Sequence, residues 1–331
     1  MPANLTQQYL KAEKQYRQAA TVEDELKWLQ VMLAEIPKHK GTDKLQGDLK
    51  HRISQAKKEL QSTRRGSRRG HGVRIPRQGA GTAVLLGGPN AGKSRLLAAL
   101  THARPEVAAY PFSTHTPAPG MMPWEDVAVQ LIDTPPITPQ YMEPHMDGII
   151  RGADLAVLMA DLGSDDGPQQ CRDVLDRLGQ TKTRLGARPE VEAEEELSLS
   201  YTPAILVANK MDLPAAPGRL ERLGELVAVD FTRFVISAEQ GTGLEELREA
   251  IYKALDVVRV YTKLPKAKEA DLTHPFTLRR GDTLLEMAGQ VHKDYLEGLK
   301  FARVWGSAVH DGTVVKGDYV LHDKDVVELH L

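Results

Sequence analysis

The chain has 331 residues, 41% apolar and 27% charged, which is core-forming material for two or three domains and excludes a disordered composition. Its net charge of -2 hides an asymmetry: residues 1–80 hold 17 Lys and Arg against 8 Asp and Glu, leaving 26 against 37 for the remainder. A basic front before an acidic body points to a phosphate-bearing partner at the N-terminal end. One cysteine, Cys171, excludes an intramolecular disulfide and a cysteine-cluster metal site, and in QQCRDVLDRL it reads as an ordinary helix residue. Apolar runs such as AVLLGG and AILVA fall far short of the ~20 residues of a membrane-spanning helix, and the N-terminus is not signal-like. The expectation is a cytoplasmic protein with no membrane partner.

In chain order, TVEDELKWLQVMLAEI places Leu26, Leu29, Met32, Leu33 and Ile36 at helical spacing, with Thr21 as N-cap. A second helix begins near Thr42, carrying Leu45, Leu49, Ile53 and Leu60 on one face. A shorter helix around LTQQYLKAEKQYRQA precedes this hairpin. STRRGSRRGHGVRIPRQGAG then sets six arginines and five glycines in twenty residues without apolar periodicity, the pattern of a flexible basic linker. From Ala80 short apolar strands alternate with helices: TAVLLG, VAVQLI, DLAVLMAD, PAILVAN, RFVIS and the helix GLEELREAIYKAL. That alternation specifies an α/β domain with a doubly wound, mostly parallel sheet. An acidic cluster, Glu190, Glu192, Glu194, Glu195 and Glu196, interrupts it as a solvated insertion or, less simply, a docking surface. Past residue 257, VRVYTKL, PFTLRR, a helix from Thr283, KFARVWG and DVVELHL suggest a β-grasp. The resulting plan is an N-terminal helical region (1–63), a basic linker (64–79), a P-loop domain (80–257) and a β-grasp domain (258–331).

GGPNAGKS follows the strand TAVLL and precedes the helix SRLLAALTHA, as a phosphate-cradling loop requires. In the loop of Gly87, Gly88, Pro89, Asn90, Ala91 and Gly92 the glycines let backbone N–H groups turn inward around the phosphates, Lys93 neutralises the β/γ oxygens and Ser94 ligates magnesium. NKMD follows the strand AILVA, at the edge where a base would lie. The Asn209 amide can meet guanine N7 and O6, and the Asp212 carboxylate accepts from N1–H and N2–H, donors that adenine does not present together. Ser237 or Ala238, in VISAEQGTG, can give a backbone N–H to O6. Arg95, Lys210 and Glu239 complete the expected nucleotide-binding set. Asp133 ends the strand VAVQLID, where a P-loop nucleotidase keeps its magnesium carboxylate.

GGPNAGKS, DTPP, NKMD and SAE in this order resemble the five-motif GTPases. YPFSTHTPAPG is similar to the switch of the Obg-related branch. EIPKHKGTDKLQGDLKHRIS, VRVYTKLPKAKEADLTHPF and HKDYLEGLKFARVWGSA resemble the developmentally regulated GTP-binding proteins and their TGS domain. That resemblance covers nearly the whole chain and implies GTP/GDP as ligand, with Thr114 as the switch threonine that meets magnesium and the γ-phosphate; Ser113 and Thr116 are less favoured candidates. The small domain that eukaryotic members insert in the GTPase domain finds no room here.

The sequence departs from the GTPase pattern after Asp133. In D-x-x-G the glycine gives a backbone N–H to the γ-phosphate; here Pro136 stands in its place and has none to give. Ile137 replaces the water-orienting glutamine, a substitution the Obg-related proteins resemble. Asn90 resembles the asparagine with which potassium-activated GTPases hold a monovalent cation, so the resemblance implies a K+ site; alternatively Asn90 only suits a tight turn. The function expected is a slow, magnesium-dependent and potassium-stimulated GTPase switch with Lys93, Thr114 and Asn90 as catalytic groups. Its expected partner is a ribosome or rRNA, reached through the basic N-terminal region and the TGS-like domain, with room for a protein cofactor. Alternatives are a nucleotide-gated RNA-binding or assembly factor with negligible turnover, and a TGS-containing ATPase.

Overall fold

The structure, a computed structural model, describes residues 6–17, 19, 22–37, 42–66, 75–101, 117–187, 199–228, 230–265, 267 and 269–331. Thr21, the segment with Ser113, Thr114 and Thr116, residues 67–74 of the arginine linker and the Glu190–Glu196 cluster lie outside these residues.

Three helices open the chain: α1 (Gln7–Arg17), α2 (Val22–Glu35) and α3 (Asp43–Gly66). Their apolar stripes meet, Leu29 and Met32 of α2 with Ile36 just beyond it packing on Leu49 and Ile53 of α3 and on Tyr9 and Ala12 of α1. The Thr42 hydroxyl, fully buried, donates to the Pro37 carbonyl oxygen and so ties the start of α3 to the end of α2. Helix α3 runs to Gly66, into the stretch expected to be linker, since Gln61, Arg64 and Arg65 are good helix formers.

The central sheet is built from β1 (Thr82–Gly87), β2 (Ala118–Trp124), β3 (Val127–Asp133), β4 (Leu155–Asp161), β7 (Ala204–Asn209) and β8 (Thr232–Val235), while β5 (Thr183–Leu185) pairs with β6 (Ser200–Thr202) in a separate two-stranded sheet. Its order is β2-β3-β1-β4-β7-β8, parallel except for β2. The two-residue period of β1 distributes the core. Ala83 and Leu85 face α4 (Lys93–Leu100) and α8 (Leu244–Ala254), and Val84 and Leu86 face α5 (Met146–Gly152), α6 (Gly167–Gly179) and α7 (Ala216–Leu226). Strand β2 was not expected from sequence, since APGMMPW carries Pro119 and Pro123. It lies at the sheet edge, where prolines cost no ladder bond.

A second, five-stranded sheet has the order β10-β9-β13-β11-β12, with β9 (Val257–Thr262), β10 (Asp271–Arg279), β11 (Phe301–Gly306), β12 (Val309–Val315) and β13 (Asp325–His330). It clasps α9 (Leu284–Val291), whose Leu284, Met287 and Ala288 pack on Val258, Val260, Val304 and Val327. Thr283 and Glu286 form a reciprocal capping box at its start. The single helix expected over GDTLLEMAGQVHKDYLEG is broken at His292, whose extended backbone separates α9 from α10 (Lys293–Gly298). Among the described residues no helix is long and apolar enough to cross a membrane.

Cys171 is buried beside Val174 and Leu178 of α6, and burial pushes its thiol up to about 12. At pH 8 the thiolate fraction is then about 10⁻⁴. A disulfide reagent should therefore modify native protein only as fast as it opens, and denatured protein at once. Rapid, complete modification of the native chain would contradict the packing of α6.

Candidate functional site

The carboxyl ends of the parallel strands converge at one edge of the central sheet. Leu85 pairs with Asp133, Gly87 with Met159 and Asp161 with Asn209, so the loops after β1, β3 and β7 emerge side by side. The loop after β1 is GGPNAGKS. Gly92 adopts φ 90°, and a Cβ there would stand 2.3 Å from Asn209 Nδ2, so only glycine fits. Asn90 sits at φ 59°, a left-handed conformation that asparagine tolerates, with its side chain exposed. Lys93, at the start of α4, folds back and donates to the Gly87 and Gly88 carbonyl oxygens at 3.1 and 3.0 Å. Burial pulls its ammonium down to about 8, with Asp133 opposing the shift.

Ser94 Oγ donates to Asp133 Oδ2 at 2.5 Å, and Asp133 is 1% exposed. A hydroxyl and a carboxylate meeting beside the loop form the hard oxygen pair that magnesium takes, so these two residues fit that ion. The segment after Asp133 turns under the loop, with Pro135, Pro136 and Ile137 buried. Thr134 Oγ1 donates to the Leu85 carbonyl at 2.6 Å. The Ile137 N–H is given to the Gly87 carbonyl at 3.1 Å and the Thr138 N–H to the Tyr141 carbonyl at 2.9 Å. Pro135 and Pro136 carry no N–H. From 135 to 138 every backbone N–H is therefore absent or already donated. The Ile137 side chain, 1% exposed, packs with Val84, Ile132 and Ile150 and faces the core.

At the edge where the sequence places a base, Asn209 is 2% exposed. Its Oδ1 accepts from the Lys210 and Ala238 N–H groups at 2.8 and 3.0 Å, and its Nδ2 donates to the Ala91 carbonyl at 3.0 Å. Both oxygen lone pairs are used, and one Nδ2 hydrogen is left for an acceptor such as guanine N7. The Ser237 N–H is given to the Thr242 carbonyl at 3.1 Å. A contact from Ala238 to O6 would therefore share its N–H with Asn209. Asp212 is exposed and Lys210 reaches Asp161 at 2.8 Å. Arg95 and Glu239 pair with one another at 2.8 Å on the surface, bridging α4 to the Ser237–Ala238 loop.

Three contributors were not singled out from sequence. Asp161 caps the Gly163 N–H at 2.6 Å and holds Lys210. Thr134 anchors the buried turn, and Gln170 packs so closely on Gly88 that a Cβ there would lie 2.9 Å from its Oε1. Only Asp161 left a sequence signal, an acid at the carboxyl end of the apolar run LAVLMAD.

A family model described as a 50S ribosome-binding GTPase matches residues 82–210, and the TGS domain model matches residues 258–331. The chain is thus a P-loop GTPase with a C-terminal TGS domain. It is 29% identical to an uncharacterised GTP-binding protein of Methanocaldococcus jannaschii, with 93% of this chain and 92% of the relative covered. Identity is 26% both with developmentally-regulated G-protein 2 of Arabidopsis thaliana (92% and 90% covered) and with ribosome-interacting GTPase 1 of Saccharomyces cerevisiae (94% and 99%). The relatives that it resembles over most of its length thus include GTP-binding proteins named as developmentally regulated. The alignment with the archaeal relative runs over 369 positions, more than the 331 residues present here, so that relative carries segments this chain lacks.

The low Lys93 pKa has a measurable consequence. In the unfolded chain the ammonium titrates near 10.4, so between about pH 8 and pH 10 the unfolded state binds more protons and ligand-free stability rises with pH. Removing the charge with Lys93→Met should stabilise the protein by up to about 3 kcal/mol near pH 7.5, and by less near pH 9.5. Denaturant unfolding of both proteins at the two pH values tests this; an equal gap at both would contradict the shift.

Proposed function

We propose that this GTPase is a slow switch whose turnover depends on magnesium and is stimulated by potassium, and which acts in the cytoplasm on an RNA-containing partner, a ribosome or its rRNA. The observation that carries the reading is the 135–138 segment, which leaves no backbone N–H for the third phosphate and turns the Ile137 side chain, at the glutamine position, into the core. Chemistry is then left to the P-loop side: Lys93 neutralises the β/γ oxygens, and Ser94 with Asp133 would hold magnesium, which spreads the charge developing on the transferring phosphoryl group. Thr114 is proposed as a further magnesium ligand and Asn90 as the potassium ligand. Asn209, Asp212 and the loop Ser237–Glu239 are proposed to select guanine, with the remaining Nδ2 hydrogen of Asn209 directed at N7. Exposure of Asp212 at this edge disfavours the ATPase reading.

A missing water-orienting group can be compensated by a positive charge supplied from outside, an effect worth ~10³ to 10⁵ in rate for an arginine. The proposed partner is supported by the basic N-terminal region, by the TGS domain and by the name of the yeast relative. Of the six linker arginines, Arg77 is committed to Asp154. The other five are the candidates for phosphate contact. The same 135–138 segment supports a second reading, a nucleotide-gated RNA-binding factor with negligible turnover.

GTP hydrolysis in potassium and in sodium chloride, with and without ribosomes, separates these readings. We expect stimulation by potassium, lost in Asn90→Ala, and further stimulation by ribosomes. Equal rates in both salts would remove the potassium assignment, and a rate that ribosomes never raise would favour the binding factor. Ribosome association should weaken steeply with salt, on the order of 10³-fold from 50 to 200 mM for about six phosphate contacts. Serine at residues 64, 65, 68, 69 and 74, with Arg77 retained, should flatten that dependence; unchanged binding would exclude the linker.

A further inference from the structure

The β2–β3 hairpin has its open end at the nucleotide site and its closed end against the TGS sheet. Ala118 pairs with Asp133, and the ladder runs through seven pairs to Trp124 and Val127. That is about 20 Å of two-stranded ribbon between the magnesium carboxylate and the turn at Glu125 and Asp126. The turn is gripped by Arg259 of β9. One edge of the guanidinium donates to Asp126 Oδ1 at 2.8 Å and to Glu125; the other donates to both Asp323 oxygens, at 3.1 and 2.9 Å. Tyr261, also on β9, donates its hydroxyl to the second oxygen of Asp126. Trp124 stacks on Tyr252 of α8 at 6.0 Å between centroids, and the Arg259 guanidinium lies 5.6 Å from the same Tyr252 ring.

The charge arrangement makes this a clamp. One guanidinium, with a side chain only 6% exposed, stands among three carboxylates from two domains, and without it they would converge unscreened. The hydrogen bonds that it donates to Asp323, then to Glu125 and Asp126, raise the Arg259 pKa further against the cost of burial. Burial works to raise the Asp126 carboxyl, yet the bonds from Tyr261 and Arg259 outweigh it and hold it below the usual range.

We propose that Arg259 is a positioning residue for the nucleotide site. Through the Glu125–Asp126 turn it fixes the β2–β3 hairpin and hence Asp133, so that binding of the third phosphate and seating of the TGS domain are thermodynamically linked. The proposal rests on the switch reading above. Linkage is reciprocal: if GTP and GDP favour different hairpin positions, loosening the clamp must change the preference between them, typically 5- to 150-fold where such coupling exists, as an order of magnitude.

Trp124 reports on the joint once Trp28→Phe and Trp305→Phe have silenced the other two tryptophans of the chain. In that full-length background, emission and affinity are measured with GDP and with a non-hydrolysable GTP analogue. We expect emission to differ between the nucleotides, Arg259→Ala to shrink that difference and shift the GTP-over-GDP affinity ratio at least several-fold, and Arg259→Lys to restore part of both. Tyr261→Phe, which deletes one hydroxyl, should act in the same direction more weakly and serves if Arg259→Ala does not fold. If the parent discriminates the nucleotides but neither variant moves the ratio or the emission change, the coupling is wrong and the switch stands. If the parent itself gives the same emission and affinity with both nucleotides, the switch reading fails and takes this proposal with it.

Discussion

Three loops of the nucleotide site are held in register by one buried amide. Asn209 receives the Lys210 and Ala238 N–H groups on its oxygen and gives a hydrogen to the Ala91 carbonyl, tying the P-loop to both base-side loops. Removing it would strand a buried carbonyl and a buried N–H, each costing about 1–3 kcal/mol. The same contact dictates Gly92, since any side chain there would collide with the amide. The asparagine of NKMD is therefore a structural residue, and two motifs more than a hundred residues apart constrain one another. Lys93 depends on the arrangement as well, because the turn that Gly92 permits is what brings its ammonium back over the Gly87 and Gly88 carbonyls.

Below that joint the chain buries the residues that follow Asp133. Ile137 fills a position in the core with Ile150 and Val84, and extracting such a side chain costs roughly 1.5–3 kcal/mol. Two prolines stiffen the approach and the neighbouring N–H groups are spent inside the protein. The segment is thereby anchored, and a response to the third phosphate has to be carried by other groups. Asp133, which is at once the end of β3 and the partner of Ser94, is the point where the anchored segment meets the β2–β3 hairpin.

Much of this was legible in the sequence, and the exceptions have physical causes. Strands β1, β4 and β7 are continuous apolar runs because both faces of the sheet are covered, and the loops that carry chemistry follow them immediately. Strand β2 was hidden by Pro119 and Pro123, which only its edge position tolerates, and β12 by the polar His310, Asp311 and Gly312 in its middle, also on an edge strand. The break at His292 leaves no Gly or Pro as a sign. At the site, the residues of GGPNAGKS, DTPP and NKMD are recognisable from their spacing, but which partner takes each hydrogen is a matter of three-dimensional approach. Nothing in NKMD says that both lone pairs of Asn209 are used by the protein, and nothing in VRVYTKL says that Arg259 reaches a turn more than a hundred residues earlier in the chain.

The attachments of the outer domains differ in kind, and the difference orders their response to conditions. The Lys11 to Glu286 contact between α1 and α9 is a surface pair at 3.5 Å with both groups well exposed, worth little and screened by salt. Asp154, at the amino end of β4 and so remote from the nucleotide edge, gathers Arg77, Arg279 and the Thr82 N–H into a half-buried junction of linker, TGS sheet and β1. Glu25 and Arg151 join α2 to α5 with both side chains largely buried. Arg259 is the most enclosed of the cations in these contacts and grips the turn whose strands lead back to Asp133. Rising ionic strength should weaken the exposed pair first and the Arg259 clamp last, because screening acts on charges that water reaches. Screening therefore reaches the α1–α9 contact well before it reaches the joint between the TGS sheet and the hairpin.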